Sequence, residues 1–217
     1  MSYLNKNKNY ILNLKNNSMI IGIILAAGTS SRFKSETPKQ LYSINNKPII
    51  EYSIDNMIDL VDKLIIVINN NIIIPNLVTD TGVNSKIVIL KNNINQRKAT
   101  LNIAIKYIKD NFVNTEKVII HDANRPFVTK LYFENLINSS KKYIQYALKI
   151  TNGLYNIETN LSTNRDNFIE LCTPICISDS ILKIQETDEI INSIEIKPEF
   201  LFGNYNVLKK ITFIEDL

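Results

Sequence analysis

The chain has 217 residues, of which 45% are hydrophobic and 21% carry a charged side chain. This length supports one domain with a well-buried core and is too short for two domains of typical size. No stretch approaches the roughly 18 uninterrupted apolar residues of a transmembrane helix, so no membrane segment is expected. The formal net charge is +4, and Lys6, Lys8 and Lys15 lie in a leader that contains no acid. The remainder is near neutral, which argues against nucleic acid as a partner.

Two further features bear on domain organisation and location. Residues 1–18 are rich in Asn and Lys, and we expect a poorly ordered N-terminal extension before a single domain over residues 19–217. The apolar core of that leader, Tyr10–Leu14, is too short for a signal peptide. Cys172 and Cys176 have no His or Cys partners at zinc-site spacing, so we expect reduced thiols in a cytoplasmic protein.

Along the chain, short apolar runs typical of strands alternate with segments whose apolar residues recur at helical spacing. Strands are predicted at Ile20–Leu25, Lys63–Ile68, Lys86–Leu90, Val118–Ile120, Tyr146–Ile150 and Phe200–Phe202. Helices are predicted at Pro48–Leu60, Ala99–Asn111 and Lys130–Lys142. Asn46 is the expected cap of the first helix, and Pro48 fits its opening turn. The alternation predicts an α/β protein, a three-layer α/β/α sandwich around a Rossmann-like, mainly parallel sheet. The polar segment Asn152–Leu171 interrupts it, as a projecting β-arm would.

The segment Ile20–Gln40 carries the strongest chemical signal. Its aliphatic run ends at Ala26-Ala27-Gly28, where small side chains allow a sharp turn and Gly28 can adopt a positive φ. Arg32 and Lys39 then add positive charge near the amide groups of that turn, which indicates a triphosphate site. The three-glycine dinucleotide fingerprint and the G-K-[ST] tripeptide of the P-loop are both absent from the sequence. An ordinary turn with two solvated cations is the weaker interpretation.

A second motif follows the predicted strand Val118–Ile120. In open α/β sheets ligands bind beyond the carboxyl ends of the strands, so this motif and the first one face one crevice. Asp122 there suits Mg²⁺, which binds through one or two carboxylates together with substrate phosphates and waters. His121, the only histidine, is interpreted as a hydrogen-bonded structural residue rather than a base or ligand. Arg125 either binds phosphate or pairs with a carboxylate and fixes the loop.

These motifs resemble those of nucleotidyltransferases that activate sugar and polyol phosphates. The chain resembles the 2-C-methyl-D-erythritol 4-phosphate cytidylyltransferases of isoprenoid synthesis and the related ribitol 5-phosphate cytidylyltransferases. This resemblance extends over residues 19–217. The segments that carry it are L-A-A-G-x-x-x-R, P-K-Q, Arg97 with Thr100, Arg165 with Thr173-Pro174, Thr187-Asp188-Glu189, and Lys210-Ile211-Thr212 with Glu215-Asp216-Leu217.

The resemblance implies a fold of the nucleotide-diphospho-sugar transferase type, and a reaction of CTP with a polyol phosphate that needs Mg²⁺ or another divalent cation. It implies that the catalytic residues are Arg32, Lys39 and Lys210, with Asp122 as the metal ligand. Nucleotide binding is implied for Ala26, Ala27, Gly28, Thr29, Arg97, Thr100, Asp122 and Ala123. Polyol phosphate binding is implied for Arg125, Arg165, Thr173 and Thr187. Residues 151–172 would form the arm of a homodimer and carry Arg165 to the neighbouring subunit's site.

Four positions depart from the family pattern. Ser30 stands where the family usually has glycine, and Ile175 stands where it has glutamine. Asn152 and Gly153 replace an Asp-Thr pair whose Thr touches the polyol phosphate in relatives. The second substrate therefore stays open between methylerythritol phosphate, ribitol phosphate and another sugar phosphate of surface-polysaccharide synthesis. A non-catalytic nucleotide-binding homologue is a further alternative, against which the retained charged residues argue.

Overall fold

The structure, a computed structural model of the chain, describes residues 18–74, 85–180 and 197–217. The predicted N-terminal extension lies outside these residues except for Ser18, and so does Thr187 with the rest of its motif. Within the described ranges, no helix has both the length and the apolar character needed to cross a membrane.

Strands and helices alternate along most of the described chain. The strands are β1 Met19–Ala26, β2 Ser43–Ile44, β3 Lys47–Pro48, β4 Lys63–Ile68, β5 Ile87–Lys91, β6 Thr115–Asp122, β7 Tyr143–Lys149, β8 Leu154–Asn156, β9 Leu161–Thr163, β10 Ile169–Ser178 and β11 Glu199–Phe202. The α-helices are α1 Ile49–Met57, α2 Arg97–Asn111, α3 Lys130–Ile137 and α4 Tyr205–Leu208. Short 3-10 helices lie at Lys39–Leu41, Ile58–Leu60, Arg165–Asn167 and Ile214–Asp216.

The main sheet has the strand order β11-β7-β10-β6-β1-β4-β5. β1 lies between β4 and β6 and runs parallel to both, and β5 runs parallel to β4. β10 runs antiparallel between β6 and β7. The prediction of a mainly parallel Rossmann-like sheet is confirmed.

Both faces of this sheet are covered, which explains why its strands read as continuous aliphatic runs. Along β1, Ile24 faces one hydrophobic cluster and Ile23 the other, because successive side chains of a strand point to opposite faces. The first cluster includes side chains of α1 and α3. The second is closed by α2, whose buried residues recur at helical spacing: Leu101, Ala104, Ile105 and Ile108. The result is the expected three-layer arrangement.

Three details of the prediction are wrong. The ten-residue strand β10 was not predicted as a strand, because Pro174 interrupts its apolar pattern and proline is unusual inside a sheet. The helix predicted to extend to Lys142 ends at Ile137. Asn46 does not cap α1: Pro48 precedes that helix without a side-chain cap, and Asn46 adopts a φ of 61° in the turn between β2 and β3.

The predicted arm is a separate β-hairpin. β8 and β9 pair antiparallel with each other as a two-stranded sheet apart from the main one. Asn160 takes the left-handed conformation in the connecting turn, with a φ of 55°. Several large apolar side chains of this region are exposed: Tyr155, Ile157, Leu161, Phe168 and Leu171.

Candidate active site

The carboxyl ends of β1 and β6 lie side by side and open into one cleft. Leu25 pairs with Asp122 in the register of these parallel strands, so the two sequence motifs meet at one edge of the sheet. The cleft has a volume of about 360 Å³. Every residue predicted to bind the nucleotide lines it, and so do all three residues predicted to be catalytic. The geometry thus joins residues from positions 26 to 210 in a single site.

In the loop after β1, the residues with a positive φ are not the one that the sequence predicted. No described glycine has a positive φ, and two non-glycine residues of the loop lie in the left-handed region, Ser30 with a φ of 59° and Lys34 with a φ of 50°. Gly28 contributes in another way. A Cβ built on Gly28 meets no atom within 4 Å, so this position leaves open space at the cleft. The expectation of a positive φ at Gly28 is therefore wrong, and the conformational demand falls on Ser30 and Lys34.

Asp122 is the carboxylate at the centre of the cleft. Arg97 Nε donates to its Oδ1 at 2.9 Å, and Lys210 Nζ lies 4.0 Å from its Oδ2. The backbone amide of Asp122 donates to Thr173 Oγ1 at 3.1 Å. Burial alone would raise the pKa of Asp122, but the charges of Arg97 and Lys210 outweigh burial and hold that pKa below its usual value. Asp122 is therefore ionised at neutral pH.

Cationic side chains crowd the same cleft. Lys39 Nζ donates to the carbonyl of Ile211 at 3.0 Å. The pKa of Lys39 is lowered by burial first, and then by the neighbouring charges of Lys210 and Arg32. Four cationic side chains, those of Arg32, Lys39, Arg97 and Lys210, line the cleft against the single carboxylate of Asp122, so the cleft has an excess of positive charge that suits a polyanion.

Buried residues flanking these cations fix their positions. Phe33 and Ile211 are almost fully buried in one small cluster with Ile49, which opens α1. The backbone amide of Ile211 also donates to the carbonyl of Asn124, beyond the end of β6, at 2.8 Å. Lys210 precedes Ile211 directly, so this anchoring holds its backbone at the cleft.

Sequence reasoning missed a polar segment that closes the other side of the cleft. Asn95 accepts from the amide of Thr29 at 3.3 Å and donates to its hydroxyl at 2.9 Å. Thr100 donates to the carbonyl of Gln96 and accepts from Asn92, both at about 3 Å, which secures the start of α2. The available signal was position, because these asparagines directly follow β5 at the same carboxyl edge of the sheet.

Four residues predicted to bind the polyol phosphate lie away from the cleft lining or outside the described residues. Arg125 is buried and its guanidinium donates to the backbone carbonyl of Leu208 rather than to a carboxylate, so this contact fixes a loop, and its phosphate-binding role stays a prediction. Arg165 lies on the arm and donates to the carbonyl of Thr151. Thr173 is buried next to Asp122, and Thr187 lies outside the described residues.

His121 is a packing residue in this geometry. Its ring is fully buried and lies edge-on to Phe133, with 5.1 Å between the ring centroids. Burial lowers the pKa of His121 to about 4, so the imidazole is neutral at physiological pH. It does not line the cleft.

Comparison with known proteins identifies the family. Residues 20–216 match the family model described as IspD, 2-C-methyl-D-erythritol 4-phosphate cytidylyltransferase. The 2-C-methyl-D-erythritol 4-phosphate cytidylyltransferase of Thermosipho africanus is 26% identical over 92% of this chain and 95% of its own. The ribitol-5-phosphate cytidylyltransferase of Lacticaseibacillus paracasei is 28% identical over 68% of this chain and 65% of its own.

Solved structures support the same fold. The bifunctional IspDF of Campylobacter jejuni superposes with a TM-score of 0.72 at 24% identity, covering 92% of this chain and 53% of that chain. The fold and the family match together define the class, an α/β nucleotidyltransferase. Within that class, the chain belongs to the 2-C-methyl-D-erythritol 4-phosphate cytidylyltransferase family, as the sequence motifs indicated.

Proposed function

We propose that this protein is a CTP-dependent cytidylyltransferase that acts on a polyol phosphate. An oxygen of the polyol phosphate attacks the α-phosphorus of CTP, the bond from that phosphorus to the bridging β-phosphate oxygen breaks, and a CDP-polyol and pyrophosphate result. The observation that carries the proposal is the convergence of Arg32, Lys39 and Lys210 on the cleft around Asp122. A triphosphate would neutralise the charge excess that these side chains create.

The protein does little covalent chemistry in such a reaction, so positioning and electrostatics carry the rate. Charge develops on the oxygens around the α-phosphorus in the transition state, and cations already held near it stabilise that charge without reorganising. Lys39 is held by the carbonyl of Ile211, and Lys210 lies at the centre of the cleft beside Asp122. We assign this stabilisation to these two lysines together with Arg32.

A divalent cation fits the cleft only as a partner of the nucleotide. Asp122 is the sole carboxylate of the cleft lining, and the described residues contain no cluster of three or more His, Cys, Asp or Glu side chains. Mg²⁺ commonly takes one or two protein carboxylates and completes its shell with phosphate oxygens and water. Asp122 would hold the ion, which would supply positive charge to offset the negative charge of the phosphates. Arg97, now paired with Asp122, would then turn to the nucleotide.

The second substrate is the finer part of the proposal. Similar proteins are named for methylerythritol phosphate or for ribitol phosphate, so a polyol phosphate is the shared chemistry. We further propose a homodimer in which residues 151–172 cross to a partner and Arg165 contacts the polyol phosphate there. The exposed apolar side chains of the arm support this, since such surface is usually covered by a partner. Asn152 and Gly153 would then shape the polyol pocket.

The test is pyrophosphate release from CTP against methylerythritol phosphate, ribitol phosphate and other polyol and sugar phosphates, with ATP, GTP and UTP in parallel. We expect turnover with CTP and one polyol phosphate, in the presence of Mg²⁺. A Lys39→Ala variant serves as the background. Absence of turnover across the panel, with nucleotide binding retained, would instead favour a non-catalytic homologue. Turnover with a sugar phosphate and another nucleotide would assign a different transferase.

A further inference from the structure

A buried side-chain amide holds the loop that follows β1. Gln40 is only 4% exposed. Its Nε2 donates to the carbonyl of Ala26 at 2.7 Å and to the carbonyl of Gly28 at 2.6 Å. Its Oε1 accepts from Ser30 Oγ at 3.1 Å. Both amide hydrogens and the amide oxygen are thus committed to residues 26–30, so one side chain fixes three points of this loop.

Ser30 is the second member of this network. Its φ of 59° is unfavourable for a residue with a Cβ, so the surrounding bonds must hold it there. Its Oγ accepts from the backbone amide of Lys39 at 3.2 Å while donating to Gln40. Its carbonyl accepts from the amide of Phe33 at 2.9 Å. The Ser30 hydroxyl therefore joins the strand-end loop to the backbone of Lys39.

We propose that Ser30 and Gln40 are positioning residues that hold the loop after β1 and the backbone of Lys39 in the arrangement that binds a triphosphate. This rests on the proposed function. Binding the carbonyls of Ala26 and Gly28 fixes the planes of their peptide groups, and hence the directions of the adjoining N–H groups. The same network sets where the Lys39 side chain begins. Without it, the loop would have to be ordered by the nucleotide itself, which lowers affinity.

The network is tested by binding of inorganic tripolyphosphate and of CTP to the full chain, measured by calorimetry without any polyol phosphate. Gln40→Glu puts an acceptor against two carbonyls, and we expect triphosphate affinity to fall about tenfold or more. Ser30→Ala and Ser30→Gly both remove the hydroxyl, and we expect each to weaken binding about three- to tenfold. Ser43→Ala, at an exposed serine of β2 outside the cleft lining, is the matched control and should bind normally.

Paired serine variants separate the hydroxyl from backbone strain. Glycine relieves the unfavourable φ at position 30, whereas alanine retains it. If Ser30→Gly binds tripolyphosphate as well as the wild type, the hydroxyl has no positioning role and that half of the proposal is overturned. Unchanged affinity in Gln40→Glu overturns the other half. Should Gln40→Glu fail to fold, Gln40→Met, which removes the same bonds without adding charge, decides in its place.

Turnover distinguishes positioning from general stability. If the wild-type protein catalyses cytidylyl transfer, the KM for CTP should rise in Gln40→Met and Ser30→Ala. The KM for the polyol phosphate should stay within about twofold of the wild-type value. A uniform loss of activity that follows a lowered Tm would mean that the network merely supports the fold. If the wild type binds tripolyphosphate but transfers no cytidylyl group, the proposed function fails, and the binding series still judges the positioning proposal.

Discussion

The cleft and the arm of this protein are built in opposite ways. Around the cleft, side chains far apart in sequence are bonded to one another, and the polar Gln40 is 4% exposed because loop carbonyls and a hydroxyl satisfy it. On the arm, a hairpin of two three-residue strands exposes Tyr155, Ile157 and Leu161 by 60%, 83% and 65%. An isolated two-stranded hairpin is marginally stable in water.

The difference indicates which part of the activity one chain supplies alone. The cations, the carboxylate and the bonds that fix the loop of the cleft all come from one chain, so we propose that one chain supplies the whole nucleotide half of the site. The arm has an arginine and an apolar surface but no covering layer among the described residues. We therefore expect variants in the cleft to act within their own chain and variants on the arm to act through a partner.

The largest expected effect is in the cleft. Lys39→Ala removes a preorganised cation near the triphosphate, and we expect kcat to fall by about a hundredfold or more, the scale for loss of one electrostatic donor. Turnover with CTP, measured by pyrophosphate release, checks this. Lys34→Ala, at an exposed lysine of the same loop that does not line the cleft, is the control and should leave kcat within about twofold. Near-normal turnover in Lys39→Ala would show that the cleft is not the triphosphate site.

Asp122→Asn is expected to have the next largest effect on activity. The substitution keeps the shape of the side chain and removes the charge proposed to hold Mg²⁺, so half-maximal activity should need about tenfold more Mg²⁺. Titration of activity with Mg²⁺ at saturating CTP measures this, and circular dichroism confirms that the fold is retained. Unchanged Mg²⁺ dependence would place the metal ligand elsewhere and leave Asp122 as the partner of Arg97 alone.

The two regions also differ in how far the sequence predicts them. β1 and β6 were predicted because both contain buried apolar runs, and Arg32, Lys39 and Asp122 because they follow such a run within a local motif. The roles of Arg97, Thr100 and Lys210 came only from the resemblance to the family. Gln40 and Asn95 were not assigned their roles, since those depend on bonds across 10 to 66 positions of the chain. β10 was missed for a similar reason: pairing with β6 and β7 outweighs the local effect of Pro174.

Mixing variants tests the contrast between the regions directly. Arg165→Ala should lose activity if the arm delivers this arginine to a partner's cleft, and Lys39→Ala loses it within its own. After subunit exchange in an equal mixture, half of the dimers pair the two variants and contain one intact site of two. We expect about a quarter of wild-type activity to return, by the statistics of a twofold dimer.

The mixing experiment needs proof of exchange, for which a labelled chain and native mass spectrometry suffice. A mixture that stays inactive although exchange has occurred would contradict the shared site. A monomer at assay concentrations would do the same, and would leave Arg165 as a surface cation bonded to Thr151.

The smallest expected effect is on stability in acid, and it isolates the charge pair at the centre of the cleft. Burial opposes ionisation of Asp122, yet Arg97 and Lys210 hold its pKa in the folded protein below the unperturbed value of 3.8. Such a carboxylate stabilises the fold fully above its unfolded pKa, and that stabilisation is lost as the pH falls through the lower, folded value. The free energy of unfolding in urea should thus fall between about pH 7 and pH 3, and fall less in Asp122→Asn. Arg97→Gln should reduce the same drop only in part, because Lys210 remains beside Asp122, and the double variant should match Asp122→Asn, because position 122 then carries no carboxylate in either. If Asp122→Asn keeps the full drop, carboxylates outside the cleft carry the acid sensitivity, and the ion pair contributes to the charge of the site without stabilising the fold.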